Sequence, residues 1–205
     1  MSAPTRTSTE SNQTTTTTTT NSNATMFRTT FHNTVTTPVP PDLDPKALIA
    51  CLHDHSFIIT MQPIVTRHEI RSRDPTTGRI TYDVWETIAL LPFGLWNQEL
   101  QFSAAFTDKP EGVTSFIEAP MGFVSTADYT VKPGEDWDGE GGRWVLEEKI
   151  ESSCNVVFKW FIQGTMVPVR RKMHAQILEH CKEREQRRSR ASERDGLAPP
   201  GGNWV

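Results

Sequence analysis

The stretch from Gly141 to Glu183 constrains this chain most. GGRWVLEEKIESS alternates large apolar and polar residues as a strand does, and CNVVFKWFIQGTMVPVRRKMHAQILEHCKE then reads as one long amphipathic helix. Apolar Phe158, Phe161, Ile162, Val169, Met173, Ile177 and Cys181 recur mainly three, four and seven residues apart, the spacing of one buried stripe. Pro168 removes the bond its N–H would make to Gly164, so a kink or a helix start is expected near it. Mostly β segments precede this passage. The order predicts an α+β fold in which a curved antiparallel sheet wraps a C-terminal helix. That architecture commonly encloses apolar space and favours a protein that handles a hydrophobic small molecule.

The segments before it fit the same plan. Residues 27–35 alternate as a first strand, which TPVPP at 37–41 is expected to stop. Asp44 and Pro45 form the capped start of a short helix with Leu48, Ile49 and Leu52 on one side, and a second short turn precedes Pro63. Ile64 to Arg73 pairs with GRITYDVWETIALL across the turn DPTTG at 74–78. QELQFSAAFTD, VTSFIEAP and GFVSTADYTVKP then form a meander. LPFGLWNQ at 91–98 and the acidic PGEDWDGEGG at 133–142 are connections. About seven strands result, with two short helices after the first.

Composition sets the ends of the domain. Residues 1–25 include seven consecutive threonines, Thr14 to Thr20, and almost nothing able to build a core, so they read as a disordered tail. Residues 26–185 form one domain, and 186–205 are a basic and then Pro/Gly-rich tail. Net charge is −4, yet residues 170–195 hold nine Lys/Arg against five Asp/Glu. The clusters Arg170, Arg171, Lys172 and Arg187, Arg188, Arg190 suit a solvated helix face near its negative dipole end, or a weak contact with an anionic membrane or a protein partner. Nucleic-acid binding is not expected. No apolar run is long enough to span a bilayer, and no signal-peptide pattern opens the chain. The three cysteines, Cys51, Cys154 and Cys181, contain no CxxC pair, which fits a reduced, cytoplasmic protein. No cofactor motif or metal-ligand spacing is present. His53 and His55 lie two apart, and His174 and His180 lie six apart, so neither pair shares a helix face.

The residues that carry a family resemblance are the strand pair around TYDVWETIALLPFGLW, the APMGF segment at 119–123, and the passage WVLEEKIESSCNVVFKWFIQGTM. With the order of elements, they resemble the START, polyketide-cyclase and Bet v 1-like superfamily, known as SRPBCC or helix-grip proteins, and in particular a mainly fungal branch of it. The resemblance spans about residues 26–184 and implies a ligand cavity between the concave sheet and the long helix. Such proteins typically hold lipids, sterols, quinones or polyketides; some catalyse cyclisation or dehydration, and many only bind and deliver. No family catalytic residue maps onto this chain.

Strand parity then proposes a lining. Ile80, Tyr82, Val84, Glu86 and Ile88 share one face, and Trp144, Leu146, Glu148 and Ile150 another, although Trp85 on the opposite parity leaves the choice of face open. In residues 123–131 the set Phe123, Ala127, Tyr129, Val131 opposes Val124, Thr126, Asp128. If the apolar rows face the helix, Glu86 and Glu148 are desolvated carboxylates with raised pKa, suited to general acid or base work, and His68 is their proton-transfer partner. The competing reading places both carboxylates in solvent, at a rim, or paired with Arg67, Arg71 or Lys149. Tyr82 and Tyr129 would orient a ligand oxygen. Phe93 and Trp96 would cover the mouth, and Met121, Trp144, Phe161 and Met166 would line the space.

Three functions follow. One is a noncatalytic carrier of a lipid, polyketide or terpenoid-like metabolite. Another is a cofactor-free cyclase, dehydratase or isomerase. The third is a structural or adaptor domain with a filled core.

Overall fold

The computed structural model describes residues 28–62, 64–89, 97–135 and 143–196. Strand β1 (Arg28–Pro38) is followed by helices α1 (Pro45–Leu52) and α2 (His55–Thr60). Strands β2 (Val65–Arg73), β3 (Ile80–Ala89), β4 (Asn97–Lys109), β5 (Gly112–Ala119), β6 (Phe123–Pro133) and β7 (Trp144–Asn155) lead into α3 (Val156–Gly196). The seven strands form one antiparallel sheet in the order β1-β7-β6-β5-β4-β3-β2, with β1 and β2 at its edges. The sheet curves around α3, so the architecture is the helix-grip fold.

Local chemistry sets the boundaries. Asp44 Oδ1 accepts from Lys46 N at 3.0 Å and caps α1, whose first residue, Pro45, has no N–H to leave unpaired. Asp54 Oδ1 does the same for α2 through Phe57 N at 3.2 Å. The β2–β3 turn closes because Asp74 accepts from Thr76 N and Thr77 Oγ1, while Gly78 supplies φ 70°. His53 Nε2 donates to the carbonyls of Lys109 (3.1 Å) and Gly112 (2.9 Å), fixing the α1–α2 corner on the β4–β5 hairpin.

Three expected boundaries move. β1 continues through Thr37 to Pro38, because an edge strand tolerates a proline whose missing N–H faces no partner. β7 runs to Asn155 and passes straight into α3 at Val156. Pro168 neither starts nor ends a helix: α3 runs through it and on to Gly196.

Alternation decides which faces are buried. The concave face takes Tyr82 and Val84 from β3, Ala104 and Phe106 from β4, Ala127, Tyr129 and Val131 from β6, and Leu146 and Ile150 from β7. On the convex face, Asp83 pairs with Arg71, Asp128 with Lys109 and Glu147 with Lys132. Trp85 is also outside, with Arg67 3.8 Å over its ring. β2 breaks the pattern. Bulges between Val65 and Arg67 and between Ile70 and Ser72 shift its register, leaving Ile70 49% exposed.

From α3, Met166, Met173, His174, Ile177, Leu178 and Cys181 are buried, and the helix packs on β1, β7 and α1. Val169, expected on this stripe, is 53% exposed instead.

Gly112 opens β5 opposite Thr130 of β6, with no room for a side chain. A Cβ there would lie 2.0 Å from the Tyr129 carbonyl oxygen, a backbone atom that cannot step aside. Gly112→Ala is therefore expected to lower stability by about 1–3 kcal/mol in urea denaturation; an unchanged midpoint would contradict this register.

Candidate functional site

Glu148 sits in the middle of β7 on the concave face, between Leu146 and Ile150, and is 0% exposed. An isolated carboxylate there would be driven to take up a proton. Instead α3 brings two bases to it. Arg170 Nη1 lies 3.1 Å from Oε1, and His174 Nε2 donates to Oε2 at 3.2 Å. Arg170 Nη1 also donates to the Tyr129 hydroxyl at 3.0 Å; Tyr129 and Glu148 are cross-strand partners. His174 Nδ1 meets Thr37 Oγ1 at 2.9 Å, which draws β1 into the same network. Arg170 and His174 are four residues apart and so lie on one face of α3.

The electrostatics follow from this geometry. Burial pushes the Glu148 carboxyl up, but the Arg170 charge and the His174 hydrogen bond outweigh it and hold the pKa below its ordinary 4.5. Burial and the neighbouring Glu148 charge raise the Tyr129 phenol, keeping it neutral. Burial disfavours the Arg170 charge, yet the neighbouring Tyr129 and Glu148 carry its pKa above the ordinary value. Glu148 and Arg170 are therefore an ionised pair inside the grip. Oε1 meets Arg170 at ion-pair distance, but no donor is aligned on it.

This corrects the expected role of Glu148. Its partner is neither His68 nor Arg67, Arg71 or Lys149, and its pKa moves down rather than up. His68 lies on edge strand β2, where its Nε2 reaches Ser56 Oγ at 3.1 Å; among the described residues no contact joins it to either carboxylate. Glu86 lies half-buried on the Val84 face of β3, opposite Val65 and Leu100, and burial raises its pKa. Tyr82 is buried on that face, but its hydroxyl is engaged by His55 Nδ1 at 3.3 Å. The His55 ring stacks on Phe106 and its Nε2 donates to Asp108 at 2.8 Å.

Tyr129 and Arg170 border a cavity between sheet and helix with Val84, Phe102, Ser115 and Met173. Its volume is about 20 Å³, room for about one water. Met166 is buried beside Asn33, whose Nδ2 is 3.6 Å from its Sδ. Trp144 does not border this cavity; it lies against Pro38–Pro45 at the start of β7. Phe93 and Trp96 lie outside the described residues, as do the side chains of Met121 and Phe161.

The family assignment follows from the chain itself. Residues 28–183 match the family model described as Domain of unknown function (DUF7053). The chain belongs to this family. No curated protein matches it. Among solved structures, Ara h 8.0201 is 14% identical with a TM-score of 0.46, covering 75% of this chain and 97% of that one. A STAR-related lipid transfer protein from Xanthomonas axonopodis is 10% identical with a TM-score of 0.44, covering 82% and 98%. Human STARD10 is 12% identical with a TM-score of 0.45, covering 90% and 82%. Likenesses this distant carry no argument about what a DUF7053 domain binds.

Removing one member of the buried pair strands the other. Glu148→Gln or Arg170→Met alone is expected to cost about 3–5 kcal/mol in urea denaturation at neutral pH, and the double variant less than the sum. Because the folded-state pKa of Glu148 is depressed, its stabilisation is present above pH 4.5 and lost as pH falls through the lower folded value. Additive losses, or no weakening of this acid dependence in Glu148→Gln, would contradict the pairing.

Proposed function

We propose that this DUF7053 domain binds a hydrophobic small molecule between the concave face of its sheet and α3, with Arg170 and Tyr129 as the polar end of the site. The observation that carries this reading is the ionised network at the edge of an otherwise mostly apolar lining. A guanidinium has five donors, and the contacts to Glu148 and Tyr129 use one nitrogen, Nη1. The remaining donors suit a ligand hydroxyl, carbonyl or carboxylate. The sequence resemblance carried by TYDVWETIALLPFGLW, APMGF and the β7-to-α3 passage, apart from the distant structural likenesses, implies the same class of ligand, a lipid, polyketide or terpenoid-like metabolite.

Binding would require Met173 and its neighbours on α3 to give way, since the cavity in this state admits about one water. Methionine suits that task because it repacks at little cost. Affinity would come from apolar area removed from water, about 0.8 kcal/mol per buried methylene. The cytoplasm is the proposed location. The exposed Arg188 and Arg190 near the end of α3 offer a weak contact for an anionic membrane or protein.

Native mass spectrometry of the full chain purified from its own host tests this. The expected result is a stoichiometric apolar compound bearing an oxygen function. An empty protein that also fails to bind fatty acids, sterols and polyketides would overturn the proposal and favour an adaptor domain with a filled core.

Glu86 favours a second reading, a cofactor-free cyclase, dehydratase or isomerase. Its half-buried carboxyl holds a proton to higher pH than an exposed one and could protonate a ligand carbonyl. Under this reading Glu86→Gln abolishes turnover of the identified ligand while leaving binding intact. Unchanged turnover would remove Glu86 from the chemistry.

A further inference from the structure

Cys51 and Cys181 belong to different helices, α1 and α3, yet both are buried in one core cluster and both are free. Cys51 lies three residues after the buried Leu48, and Cys181 four after the buried Ile177, so each faces the other helix from its apolar stripe. Both side chains are buried where α1 packs on α3, and each thiol acts on the ionisation of the other.

Ion pairs on both sides hold the two helices at this level. Lys182 Nζ is 2.5 Å from Asp42 Oδ2, and Arg184 Nη1 is 3.0 Å from Asp54 Oδ2. The sulfur atoms are therefore neighbours because α1 and α3 are pinned together, not because a loop happens to pass. The two thiols also differ. The Cys181 thiol and the nearby Arg184 charge lower the Cys51 pKa against the opposing effect of burial. The Cys51 thiol, with burial, raises that of Cys181.

We propose that Cys51 and Cys181 form a reversible disulfide that joins α1 to α3 when the protein meets a peroxide-class oxidant. The Cys51 thiolate attacks one peroxide oxygen and the O–O bond breaks, giving a sulfenic acid on Cys51 and one water after protonation. The Cys181 sulfur then attacks the Cys51 sulfur. The S–S bond forms, the S–O bond breaks, and a second water leaves with the Cys181 proton. Two thiols lose two protons and two electrons, and the peroxide is reduced to two waters. Burial admits a small peroxide during local opening while excluding bulkier disulfide oxidants. The bridge closes a loop spanning most of the fold, so it restricts the unfolded chain strongly.

The test is intact-mass and peptide analysis of the full chain, with Cys154→Ser as the background that removes the third thiol. After hydrogen peroxide, the expected product is a monomer lighter by two hydrogens, with the Cys51 and Cys181 peptides linked until dithiothreitol separates them. Its melting temperature should rise on oxidation and fall back on reduction. A product carrying added oxygen on either cysteine without a crosslink would overturn the proposal. So would two thiols that still alkylate after denaturation, at a peroxide dose that fully oxidises a free cysteine peptide. Both readouts come from the oxidised protein itself, so they hold even if a Cys51→Ser variant fails to fold.

Discussion

A carboxylate taken wholly out of water fixes the position of α3. Glu148 stands in the middle of β7 with apolar neighbours on its own face, so its charge persists only if a cation and a hydrogen-bond donor reach it from the opposite wall. Arg170 and His174 supply that match from adjacent turns of α3, while Thr37 on β1 and Tyr129 on β6 complete the contacts. Three strands and the helix thus meet at one charge.

Apolar contacts alone would not select this register. Beside Tyr82, Phe106 and Tyr129 the concave face carries Val84, Ala104, Ala127, Val131, Leu146 and Ile150, and such aliphatic surfaces allow a helix to slide or rotate at modest cost. Moving α3 by one turn would separate Arg170 from Glu148 and leave two buried charges unmatched. The pair is best understood as a device for specificity, since ionic groups in a core contribute little net stability over apolar ones of the same shape. It also leaves guanidinium donors at the border of the space that a ligand would enter.

Much of this was legible in the strands. The alternation of Tyr82, Val84 and Glu86, and of Leu146, Glu148 and Ile150, leaves only two choices of face; Trp85 leaves the choice open, and the structure turns the Val84 and Leu146 sets inward. In β6 the more apolar set Ala127, Tyr129 and Val131 faces inward, and Thr126 and Asp128 lie on the other side. In β2 the bulges cancel the alternation on which the placement of His68 rested. On α3, hydropathy favours Val169 over its neighbour Arg170, yet Arg170 turns inward. Its signal was spacing, four residues after Met166 and seven before Ile177, together with an acid in an apolar strand that needed a base. No local pattern ties residue 148 to residues 170 and 174, so the sign of the Glu148 shift depended on a contact that spacing cannot show.

The most direct test of this account is a carbon-13 NMR titration of the Glu148 side-chain carboxyl, assigned with Glu148→Gln. The account predicts that Glu148 stays ionised as pH falls through 4.5, its ordinary value, and takes up a proton only lower, together with loss of the native α3 resonances. A carboxyl that titrates above 4.5 in the intact fold would contradict it. Glu148 would then be a buried neutral acid, and the grip would not depend on its charge.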